Sequence, residues 1–160
     1  MNAEQSGFDV VIEVQRNGTI EDWRSALSVP ASEVPELTDR EKQSLRKFGA
    51  AEKDMEKVAR GRLVFEATRK RLEGRAEKIG RIVVEVLREI GSGWRLESVM
   101  LRKSDQWLLL FAGPSSQTTH LEIPRRFGDD LVDSVRPADQ QFLRQELVGR
   151  LEQVLKPGTN

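Results

Sequence analysis

The sequence predicts an α+β fold: a long amphipathic helix followed by a three-stranded antiparallel meander and a C-terminal helix, with a small N-terminal β-α appendage. Three observations carry this expectation. Apolar residues recur every seven positions between Phe48 and Ile90, three strand-like runs separated by turn residues follow between Arg95 and Ile123, and an apolar stripe runs from Leu143 to Leu155. The chain has 160 residues, about one ordinary domain. We divide it into residues 1–37, a strand, a short helix and a proline-containing connector, and residues 38–160, a helix-βββ-helix domain.

Phe8, Val10, Ile12 and Val14 alternate along Phe8–Gln15, the pattern of a strand. Asn17-Gly18 marks a turn, and Thr19 followed by Glu21 and Asp22 reads as a helix start, so a short helix is expected over Ile20–Ser28 with Ile20, Trp23 and Leu27 on one face. Ser28–Leu37, with two prolines, reads as an extended connector. Thr38-Asp39-Arg40-Glu41 is a capping-box pattern, with the Thr38 hydroxyl accepting from the N3 amide and Glu41 reaching back to the cap amide.

Val58, Phe65, Leu72, Ile79 and Val86 then recur every seven residues, and Phe48, Met55, Ala76, Val83 and Ile90 fill the companion positions. An unbroken helix from Asp39 to Ile90 would extend about 78 Å at 1.5 Å per residue, longer than one small domain covers. Gly61, Gly74 and Gly80 weaken it, and any break or bend is placed near Gly61. The helix is expected either to fold back or to bury part of its seam against another chain. Gly91-Ser92-Gly93 ends it. Strands are expected over Arg95–Arg102, Gln106–Ala112 and Thr118–Ile123. The middle one is apolar on both faces, which calls for cover on both sides. A helical turn within Arg125–Val135 and a helix beginning at Pro137, with Asp139 in its first turn, complete the order.

Composition excludes several classes. There is no cysteine, so disulfides, thiolate catalysis and cysteine-based zinc sites are ruled out. The longest apolar run, Trp107–Ala112, is far short of the roughly 18 residues of a membrane span. The first residues, MNAEQSGFD, carry no leader pattern, so a soluble, cytoplasmic protein with no membrane attachment is expected. Twenty-six basic and 26 acidic residues cancel, but residues 1–37 hold two and seven, and residues 38–90 hold 15 and ten. The result is an acidic front and a basic middle.

Chemistry-bearing residues are few. His120, the only histidine, shares a strand face with Glu122 and is the candidate for proton transfer. Asp129 and Asp133, one helical turn apart, are the candidate cation ligands, with Glu122 as a helper. The sequence lacks the glycine-rich phosphate loop, and no cofactor is expected. Lys42, Arg46, Lys53, Lys57, Arg60, Arg71, Arg75 and Lys78 fall within an arc of about 60° on the long helix, with glutamates on the opposite flank. Such a row is the footprint of a polyanion-binding face, for which Lys53, Lys57, Arg60, Arg71, Arg75 and Lys78 are the candidates, or simply a solvated flank.

Three roles are expected, in order. The first is a non-catalytic interaction or assembly module. It would self-associate through Phe48, Met55, Val58, Phe65, Leu72, Ile79, Val83 and Val86 of the 39–90 helix, a parallel pairing being favoured because it sets basic flanks against acidic ones, or bind another protein. The second is a nucleic-acid binder using the basic flank. The third is an enzyme or metal-dependent activity around His120, Glu122 and Asp129–Asp133.

Overall fold

The computed structural model describes residues 17–155; the strand expected over Phe8–Gln15 lies outside them. Helices α1 (Ile20–Leu27), α2 (Asp39–Lys47) and α3 (Glu52–Glu89) are followed by strands β1 (Arg95–Leu101), β2 (Gln106–Ala112) and β3 (Thr118–Pro124), then helices α4 (Arg125–Asp133) and α5 (Pro137–Val154). This is the expected α+β order. Among the described residues no helix is long and apolar enough to cross a membrane. The described residues form two compact units that divide between Arg71 and Leu72, and α3 contributes to both.

In the first unit, both short helices open with reciprocal caps. Thr19 and Asp22 form the capping box of α1, and Thr38 and Glu41 that of α2. The long helical pattern breaks at Gly49 and continues through Gly61, contrary to the expected position. Gly49 adopts φ +83°, its amide bonds to Arg46 O and the Ala50 amide to Leu45 O, which closes α2 with a left-handed residue that glycine takes at low cost. Ala51 and Asp54 restart the helix, the Asp54 carboxylate accepting from the Ala51 amide at 3.1 Å. α2 then folds back along the start of α3, since Arg46 pairs with Glu52 and Glu41 pairs with Arg62. Leu37, Met55 and Ala59 are buried between them, with Val34, Leu45 and Val58 packed around. Part of the 28–37 segment is therefore core rather than spacer: Ala31–Glu33 forms a 3-10 turn, and buried Leu37 anchors the entry to α2.

α3 spans 38 residues, about 57 Å at 1.5 Å per residue. Leu63 and Val64 point away from the seven-residue seam, yet Val64 is fully buried against Ala26 of α1, with Leu63 and Phe65 beside it. The inward face of this stretch centres on Val64 and Thr68, turned about 80° from Phe65 and about 60° from Leu72 at 100° per residue.

In the second unit, β1, β2 and β3 form an antiparallel sheet in sequential order, with Leu109 opposite Val99 and Leu121. Trp107, Leu109, Phe111, Leu121 and Ile123 turn to one face and pack on Ile79, Val83, Val86 and Leu87 of α3, Phe127 and Leu131 of α4, and Leu147, Leu151 and Leu155. Among the described residues, helices cover that face alone. Leu108 and Leu110 lie half-buried on the other face, where the sequence also calls for cover, and Met100 beside them is 45% exposed. A three-stranded antiparallel sheet meets its need for burial with one covered face.

Candidate functional site

In the second unit, alternation along β3 sends Leu121 and Ile123 to the core and His120 and Glu122 to the open face of the sheet. His120 is exposed, and Glu122 is paired with Arg102 from the end of the β1–β2 hairpin. Asp129 and Asp133 do share a face of α4, and the guanidinium of Arg75 bridges them at 3.4 and 3.2 Å. Arg125 adds contacts to Asp129 at 3.7 Å and Asp105 at 3.0 Å. The aspartates thus face cations from α3 and α4, on the helical side of the sheet, while His120 and Glu122 occupy the opposite side. Among the described residues no group of three or more acidic or histidine side chains is placed to hold a metal ion. An open depression of about 370 Å³ lies beside this cluster, lined by Asp130, Asp133, Ser134, Asp139, Phe142 and Leu143.

In the first unit, the basic flank divides by residue type. Arg60 donates to the carbonyls of Ala26 and Val29, both at 3.2 Å, and so caps the C-terminal end of α1. Arg71 donates to Asn17 O at 2.6 Å and lies 3.5 Å from Asp22. With Arg75 of the second unit, the three arginines among the six polyanion candidates are engaged within the chain, while Lys53, Lys57 and Lys78 are exposed. The planar guanidinium, with five donors, suits carbonyls and carboxylates at half-buried positions; a lysine ammonium stays hydrated. Choice of arginine over lysine is the sequence signal that separates clamp from solvated face.

The same network fixes α1. Asp22 is buried, accepts from the Thr19 amide at 3.0 Å and from the Thr68 hydroxyl at 2.8 Å, and faces Arg71. Burial acts to raise its pKa, but the hydrogen bonds from Thr19 and Thr68 and the Arg71 charge outweigh this and hold it below the ordinary carboxylate value. Asp22 and Ala26 therefore form the inward side of α1. Its apolar side points out: Ile20 is 72%, Trp23 44% and Leu27 63% exposed. The sequence groups these three correctly on one face, and among the described residues nothing buries that face. What directs the rotation is the polar pair Thr68 and Arg71 on α3, which receives an aspartate and not a leucine.

The seam residues have different fates. Met55 is buried in the first unit, and Ile79, Val83 and Val86 are buried in the second. Val58, Phe65 and Leu72 are half-buried, and Phe48, at the end of α2, is 70% exposed. Compared with protein-family models, curated proteins and solved structures, the chain matches none.

Proposed function

We propose that this chain is a non-catalytic protein-interaction module whose contact surface is the outward apolar face of α1. The observation that carries this reading is the inverted mounting of that helix. A helix bearing isoleucine, tryptophan and leucine at i, i+3 and i+7 normally buries them, at about 1.5–3 kcal/mol for each large side chain. Here Asp22, Thr68 and Arg71 hold the helix the other way round. A buried polar network of this kind favours one orientation over a slipped or rotated alternative, so the stripe is presented by a specified arrangement. Tryptophan is also among the residues most enriched at interface centres.

The partner that fits is an apolar surface of another protein. Self-association through residues 39–90 is not the surface used in this reading, because Met55, Ile79, Val83 and Val86 are taken up inside the chain. A polyanion is not the favoured ligand either, because the arginines of the basic flank serve the fold.

A photo-crosslinking residue placed at position 23 and, as a control, at exposed position 84 tests the proposal in cells. A defined adduct from position 23 that disappears in Ile20→Glu/Leu27→Glu supports it. Equal background from both positions overturns it. The double variant keeps its helical circular dichroism and loses less than about 0.5 kcal/mol, since neither side chain contributes to the core.

A further inference from the structure

A three-stranded sheet has two edges. Helices α4 and α5 pack against β3, and the amide of Arg125, just beyond it, donates to Asp105 O. β1 is different: among the described residues no backbone hydrogen bond ties Arg95–Leu101 to any element but β2. Its outward amides and carbonyls are a template for another strand. The first half of β1 is guarded by a bulge between Leu96 and Ser98 and by the charges of Arg95 and Glu97. The second half, Ser98-Val99-Met100-Leu101, has no charge, proline or glycine. Met100 stands at this unguarded stretch on the open face, next to Leu108 of β2.

We propose that β1 pairs antiparallel with β1 of a second copy of this chain, with the two Met100 residues opposite each other. The two-fold axis is then normal to the sheet, which keeps both helical layers on one side and joins two three-stranded sheets into one of six strands. This register sets Val99 level with Leu101 of the other copy on the covered side. It brings Glu97 at the bulge of one copy toward Lys103 in the β1–β2 turn of the other, and symmetry makes each pairing occur twice. Met100, Leu108 and Leu110 of both copies become one apolar strip. Any extended peptide satisfies the backbone groups of an edge; the doubled Glu97–Lys103 complementarity selects the chain's own strand.

The full-length protein tests this, and its lack of cysteine makes a single engineered thiol a clean reporter. The wild type is expected to run as a dimer in light scattering at tens of micromolar. Oxidised Met100→Cys forms a disulfide-linked dimer much faster than Val135→Cys, an exposed control. Met100→Lys gives monomers with unchanged circular dichroism. Glu97→Lys weakens association roughly tenfold by placing like charges opposite one another, and Glu97→Lys/Lys103→Glu restores it. A wild type that stays monomeric at about 200 µM overturns the proposal, as does a dimer that survives Met100→Lys. A dimer abolished by Ile20→Glu/Leu27→Glu but not by Met100→Lys also overturns it, by moving the interface to α1.

Discussion

Replacing Asp22 with alanine is the most direct probe of the network that mounts α1. Three losses combine. The Thr19 amide loses its cap, about 1 kcal/mol. The fully buried Thr68 hydroxyl loses its carboxylate acceptor, about 1–2 kcal/mol. Arg71 loses its counter-charge, which contributes less than about 1 kcal/mol because its side chain is partly exposed and keeps the bond to Asn17 O. The sum is about 3 kcal/mol, a large fraction of the 5–15 kcal/mol typical of a folded domain. The loss should be local. α1 amides should lose protection in native-state hydrogen exchange, while those of β2 and α5, in the other unit, keep theirs. Thr68→Val by itself and combined with Asp22→Ala completes a double-mutant cycle, and the coupling should exceed about 1 kcal/mol. A cost below about 1 kcal/mol together with additivity would refute the argument that this network holds α1.

Individual side chains supply further predictions. Because the Asp22 pKa is lowered on folding, its contribution is present above the unfolded value of about 3.9 and is lost as pH falls through the folded value; Asp22→Asn should remove that acid limb from α1 protection, and an unchanged profile would count against it. Gly128→Ala places a methyl 2.8 Å from Nε1 of buried Trp107 and closer still to Cδ1, so it should cost about 3 kcal/mol and lower the Tm by roughly 6–12 °C. Gly61→Ala and Gly74→Ala meet open space within α3 and should each stabilise by about 0.5–1 kcal/mol. A destabilised urea midpoint in either would contradict a continuous helix there.

Element boundaries are legible in the sequence where a local rule acts alone. Thr38 and Glu41 announce the start of α2, Pro137 and Asp139 that of α5, and the apolar run Trp107–Ala112 between turn residues marks β2. The break in the long helix is misplaced when glycine is weighed by helix propensity instead of by position. Arg46 and Lys47 in a last turn, Gly49 just past it, and Glu52 and Asp54 in a new first turn together spell a stop and a restart. Less legible still is the phase of packing. The seven-residue period identifies an apolar side of α3 but not that α1 settles over Val64 and Thr68, because that choice depends on a long-range bond from Asp22. The candidate site residues are dispersed for a related reason. Asp129, Asp133 and Glu122 read as ligands in one dimension, whereas in three each sits beside an arginine brought from elsewhere in the sequence.

The inverted mounting of α1 has a consequence for how substitutions at its surface should be ranked. Hydropathy scales score a leucine-to-glutamate change as severe and an aspartate-to-leucine change as harmless. On this helix the order reverses for folding: polar replacements at 20 and 27 leave the fold intact, while an apolar residue at 22 strands the Thr68 hydroxyl and removes the counter-charge of Arg71. A saturation screen that reads abundance alone would therefore show α1 as the photographic negative of an ordinary amphipathic helix. Only a second screen, scored on association, would bring Ile20, Trp23 and Leu27 into view.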